Sequence, residues 1–187
     1  MEVYVIRHTP VQVEKGICYG QTDVLCGPDF DEIAEQYRQQ LPSDIDMIFT
    51  SPLTRCKQLA ETLDLSSIEP VPALMEMNFG EWEGVRWDDM DQEQLRRWAE
   101  DFVFINAPSG ENLAELSSRV NHFMDGLRKT SCKKVLLVTH AGVIRCLWAY
   151  LLGIPLDNIF KIPVGFGEVM SFHLGIESNE DFITRTS

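Results

Sequence analysis

Two stretches of this chain repeat one arrangement: a short apolar run, a turn, then apolar residues at helical spacing. They are MIFTSPLTRCKQLAETL at 47–63 and VLLVTHAGVIRCLWAYLLG at 135–153. Apolar runs this short and unbroken suit strands buried on both faces, and such strands belong to parallel sheets covered by helices. In the first unit Pro52 suits an opening helical turn, with Thr50 or Ser51 as candidate cap. Gly153 suits the end of the second helix. A third run, VYVI at 3–6, opens the chain. The pattern predicts an α/β fold: a three-layer sandwich with a mostly parallel central sheet and helices on both faces.

The other segments fit around that frame. DEIAEQYRQQL at 31–41 has helical spacing and is ended by Pro42. From Ser109, the apolar residues Leu113, Leu116, Val120, Phe123 and Leu127 mark another helix, with Glu111 near its positive end. The tail GEVMSFHLG at 167–175 alternates well enough for a final edge strand, antiparallel pairing allowed. Residues 70–108 differ in texture, with prolines, glycines, three tryptophans and a surplus of acids. They read as a loop-rich insertion that includes a helix. At 187 residues the whole chain, 1–187, suits one domain.

Composition excludes several classes. A net charge of −13 disfavours nucleic acid and anionic membranes as partners, and no apolar run is long enough for a membrane span. Met-Glu-Val-Tyr leads straight into a strand pattern rather than a signal peptide, so the expected location is the cytoplasm. The five cysteines are odd in number and form no Cys-x-x-Cys pair, so they read as reduced thiols. The acidic balance also means that any anion site must be locally positive.

In open α/β sheets, ligands bind at the carboxyl ends of the strands. There the sequence places Arg7 and His8 after the first run, Arg55 just inside the second unit's helix, and His140 after the later strand. Arginine donates paired hydrogen bonds to phosphate oxygens, and a helix starting after His140-Ala141-Gly142 would aim backbone N–H groups at the same place. A neutral imidazole can attack phosphorus, and a carboxyl group from Glu76, Glu81 or Glu83 could protonate the leaving oxygen. Taken alone, Arg7-His8 at a strand end is more often a satisfied polar pair than a catalytic one; the second histidine and Arg55 make the constellation specific. His122 and His173 read as structural. The three tryptophans read as core or pocket wall.

Five segments in order strengthen that reading: RH at 7–8, SPLTR at 51–55, LMEMNFGEWEG at 74–84, PSGEN at 108–112 and VTHAGVIR at 138–145. Together they resemble the motifs of the histidine phosphatase superfamily, the phosphoglycerate mutase-like group, over essentially the whole chain. The resemblance implies His8 as the phosphorylated nucleophile, Arg7 and Arg55 as phosphate clamps, and His140 as the second histidine. It also implies Glu76 as acid and base, since Leu-x-Glu-x-x-aromatic-Gly places it four residues before Gly80, and leaves Glu81 and Glu83 outside that role. The sequence departs from the pattern at Thr9, where the family usually has glycine.

KGICYGQTD at 15–23 resembles the version in α-ribazole phosphatases, which implies α-ribazole 5′-phosphate, an intermediate of cobalamin assembly, as substrate. By the same resemblance Tyr19, Gly20 and Gln21 join Ala141 and Gly142 as substrate-binding residues. The expected partner is a small phosphate ester, with no cofactor and no metal. Alternatives are a broad-specificity phosphatase, a mutase-like enzyme, or a silent phosphate-binding regulatory module; monomer or homodimer is left open. None of the cysteines has an arginine six positions later, and no G-x-x-x-x-G-K-[ST] or H-E-x-x-H occurs.

Overall fold

A computed structural model of the chain describes residues 1–185. Strands β1 (Glu2–Arg7), β2 (Met47–Thr50), β3 (Ile68–Pro70), β4 (Lys134–Thr139), β5 (Val169–His173) and β6 (Phe182–Arg185) form one sheet in the order β3-β2-β4-β1-β5-β6. The pairs β3–β2, β2–β4 and β4–β1 are parallel, while β1–β5 and β5–β6 are antiparallel. Helices α1 (Phe30–Gln40) and α2 (Thr54–Leu63) pack on one face. After α3 (Gln92–Glu100), helices α4 (Leu113–Leu127) and α5 (Ala141–Leu152) pack on the other. The architecture is the α/β sandwich that the apolar runs imply.

Strand β4 shows why those runs are continuous. Val135 and Leu137 enter the core under α4 and α5, whereas Leu136 and Val138 enter the core under α1 and α2. Successive side chains on a strand point to opposite faces, so a strand at the centre of three layers has no wet side. The register Arg7↔Thr139 then fixes the functional end. His8 N–H donates to the Thr139 carbonyl at 2.9 Å, and Ser51 N–H donates to the Val138 carbonyl at 2.9 Å. Three strands therefore finish side by side at one rim.

Several local expectations need correction. GEVMSFHLG holds β5, antiparallel as allowed, but the edge on that side is β6, whose short, half-exposed run gives little sequence signal. Pro52 precedes α2 rather than opening it. The N-cap is Leu53, in extended backbone, and neither Thr50 nor Ser51 caps the helix; Ser51 Oγ accepts from the N–H of Leu53, ahead of the first helical residue. Helix α4 starts at Leu113, not near Ser109, because Asn112 and Glu115 form a reciprocal capping box. Glu111 lies outside that helix and pairs with Arg119.

Residues 70–108 consist of short 3-10 turns and α3, the latter capped by Asp91, which accepts from the Glu93 and Gln94 N–H groups. A separate small cluster holds them: Cys18, Trp82, Met90 and Ala107 are buried, with Trp87 and Trp98 packed against them. Trp87 and Trp98 stack, and both meet Phe79 edge-on. The tryptophans are thus committed to packing. Exposed His122 lies on α4, and His173 stacks on Phe182.

Candidate active site

The rim formed by β1, β2 and β4 carries two buried histidines whose ring centroids are 5.1 Å apart. His8, at 1% exposure, has Nδ1 2.6 Å from the Thr9 carbonyl. A carbonyl can only accept, so Nδ1 carries the proton and Nε2 keeps its lone pair. Burial, then the Arg55 cation and more weakly Arg7, push the His8 pKa down to about 3, against one opposing hydrogen bond to Thr9. The ring is neutral at physiological pH. Burial, then His8 and the arginines, likewise hold His140 well below the ordinary histidine value. Its Nε2 lies 2.8 Å from Ser51 Oγ.

Arg55, on the first turn of α2, is completely buried. Its Nη1 donates to the Thr22 carbonyl at 2.9 Å and its Nη2 to the Gly20 carbonyl at 2.6 Å. Arg7 Nη1 donates to the Val164 carbonyl at 3.0 Å. Among the described residues, the Nε atoms of both arginines are buried without a partner. Two unused cationic N–H donors at a rim with a lone-pair imidazole form a locally positive site in an acidic protein. An oxyanion would satisfy donors that are otherwise costly to bury.

Glu76 reaches the same rim from the 70–108 segment. Its Oε1 accepts from the Met77 N–H at 3.0 Å and its Oε2 from the Gly142 N–H at 3.2 Å. The expectation of free N–H groups at the start of α5 is therefore corrected for Gly142, because the carboxylate has taken that donor at the helix's positive end. His140 is itself the N-cap and Ala141 the first helical residue. Gly142 is needed for proximity: a Cβ there would stand 2.2 Å from Glu76 Oε1.

The 19–21 segment touches the site through its residues rather than standing apart. The Arg55 guanidinium carbon lies 5.2 Å from the centroid of the Tyr19 ring, Gly20 supplies an acceptor to Arg55, and Gln21 Nε2 donates to the Glu76 carbonyl at 2.9 Å. Glu83 fastens this segment, accepting the N–H groups of Gln21, Thr22 and Phe79. Glu81 accepts from Ser109 Oγ. Thr9 is buried, and its φ is not among the positive values of the described residues, so no glycine is required there.

A model of the histidine phosphatase superfamily (branch 1) matches residues 3–182. The chain belongs to the histidine phosphatase superfamily. Relatives within it are named as phosphatases. The adenosylcobalamin/alpha-ribazole phosphatase of Escherichia coli (strain K12) is 28% identical, covering 89% of this chain and 87% of that protein. Phosphoserine phosphatase 1 of Hydrogenobacter thermophilus is 27% identical, covering 76% of this chain and 73% of that protein. The crystal structure of the alpha-ribazole phosphatase from Shigella flexneri superposes with a TM-score of 0.84 at 27% identity, covering 92% of this chain and 90% of that one. No helix among the described residues is long and apolar enough to cross a membrane.

Within this superfamily member, sequence reasoning missed three supports. Phe166 roofs the rim, its ring 5.8 Å from that of His8, and the only local signal is an aromatic residue between Gly165 and Gly167. Arg119 donates to the carbonyls of Ala73, Met75 and Glu76 while paired with Glu111, pinning the Glu76 backbone. Ser51, a candidate helix cap by sequence, instead faces His140. Behind Arg7 an apolar cavity of about 240 Å³ opens between β1, α5 and the 162–168 loop.

Proposed function

We propose that the chain is a phosphomonoesterase that works through a phosphohistidine at His8. The observation that carries this reading is the buried, neutral His8 with its Nε2 lone pair free, set beside two arginines whose Nε–H donors have no partner among the described residues. In the first half-reaction Nε2 forms a bond to phosphorus and the phosphorus–oxygen bond to the leaving alcohol breaks. Glu76 gives that oxygen a proton. In the second, Glu76 takes a proton from water, the water oxygen attacks phosphorus, and the phosphorus–nitrogen bond breaks to release inorganic phosphate. Arg7, Arg55 and His140 hold the equatorial oxygens. Tyr19, Gly20, Gln21 and Ala141 line the leaving-group side.

The proposed substrate is α-ribazole 5′-phosphate, supported by KGICYGQTD and by the relatives named for that activity. A second reading, a phosphatase of phosphoserine or another small phosphomonoester, is supported by the phosphoserine phosphatase relative. A panel of α-ribazole 5′-phosphate, phosphoserine, 3-phosphoglycerate and sugar phosphates, compared by kcat/KM, separates the two. A lead of about tenfold or more for α-ribazole 5′-phosphate is expected. A flat panel, or a lead for phosphoserine, overturns that assignment.

A further inference from the structure

Ser51 is fully buried at the end of β2, and its hydroxyl has a countable set of partners. One lone pair faces the Leu53 N–H at 3.3 Å. The proton then needs an acceptor, because buried hydroxyls are nearly always paired. The nearest is His140 Nε2 at 2.8 Å. Cys56 Sγ stands 3.5 Å from that same nitrogen, but sulfur is a weak acceptor, and the thiol proton has the Thr139 carbonyl at 3.5 Å. If Nε2 carried the proton instead, it would donate to the second lone pair of Ser51 Oγ, and the hydroxyl proton would be left with the Cys56 sulfur, a weak acceptor.

We infer that Ser51 is a positioning residue: its hydroxyl donates to His140 Nε2, which places the imidazole proton on Nδ1. Among the described residues Nδ1 has no partner beyond the Cys56 sulfur at 4.0 Å, so its N–H is the donor left for a phosphoryl oxygen. Pro52 disfavours helical backbone at Ser51, which is consistent with the chain staying extended as it leaves β2, and the N-cap position falls to Leu53. His8, Ser51 and Cys56 face His140, and the charges of Arg55, Arg7 and Arg119 act on it. This inference rests on the phosphohistidine reading for its catalytic meaning, though not for its hydrogen-bond pattern.

The test is a long-range ¹⁵N–¹H correlation spectrum of the histidine-labelled protein, with His140 assigned by the loss of its signals in His140→Gln. The wild type should show protonated Nδ1 and unprotonated Nε2. Ser51→Ala should mix the tautomers and lower kcat about ten- to a hundredfold with little change in KM, and Ser51→Thr should restore both. Protonated Nε2 in the wild type, or Ser51→Ala with unchanged kcat and spectrum, overturns the inference. If Ser51→Ala fails to fold, the wild-type spectrum and Ser51→Thr still decide. A trapped phosphohistidine alongside protonated Nε2 would sink the Ser51 assignment alone. The expected tautomer without any phosphohistidine would sink the catalytic route alone.

Discussion

The guanidinium carbon of Arg7 lies 3.8 Å from the centroid of the Phe166 ring, so one proposed phosphate clamp is also the seat of the residue that roofs His8. A cation over an aromatic face contributes roughly 0.5–2 kcal/mol. Phe166→Ala should therefore cost about 1–2 kcal/mol of stability, since the ring is already 37% exposed. It should also speed modification of His8 by diethyl pyrocarbonate, followed by mass spectrometry. Equal modification rates in the two proteins would show that the ring does not screen His8.

Glu76 and Gly142 share too little space for a methyl group, which makes the glycine a test of carboxylate placement. With a Cβ only 2.2 Å from Oε1, Gly142→Ala must displace the carboxylate. The expected loss is about 10²-fold in kcat. Glu76→Gln should lose about 10²–10⁴-fold on alkyl phosphates and much less on p-nitrophenyl phosphate, whose leaving group needs little protonation. Equal losses on both substrates would remove Glu76 from the acid role.

The buried histidines tie stability to pH. The folded His8 pKa, about 3, is below the ordinary 6.5, and His140 is shifted the same way. Below about pH 6.5 the unfolded chain binds protons that the folded chain refuses, so stability should fall as pH drops from there toward 3. Above that range the two residues contribute no pH dependence. The slope is at most about 1.4 kcal/mol per pH unit for each histidine. Urea midpoints at about pH 7.5 and 5 should fall for the wild type and fall less for His8→Asn. An identical pH response in both proteins would contradict the burial account.

Thr9 departs from the family's usual glycine without backbone strain, since only Asp64 and Ser109 among the described non-glycine residues have positive φ. Its carbonyl orients His8, and that group survives any substitution. Thr9→Gly should keep kcat within about twofold and lower stability by about 1 kcal/mol, through added freedom of the unfolded chain. A collapse of kcat would mean the Thr9 side chain has a direct part in the reaction.

The sheet's centre was legible because β1 and β4 are buried on both faces and write that burial as unbroken apolar runs. Residues at their ends, Arg7, His8 and His140, were legible for the same reason, being fixed in sequence to the strands that deliver them. β3 and β6 were not, because three or four residues at a sheet edge draw their order from a neighbour's backbone rather than from their own pattern. The Ser51, Arg119 and Phe166 contacts join residues far apart in sequence, where no local periodicity reports them. The Gly142 N–H was misread because helix position predicts a donor but not the carboxylate that reaches it.

Rapid acid-free quenching of enzyme mixed with ³²P-labelled substrate traps a phosphohistidine at His8 if one forms. Acid-labile, base-stable label is expected on the peptide containing His8, and none on His8→Ala, which should also lose nearly all turnover. Turnover in the wild type with no label at any quench time, joined to full activity in His8→Ala, would contradict a phosphohistidine at His8.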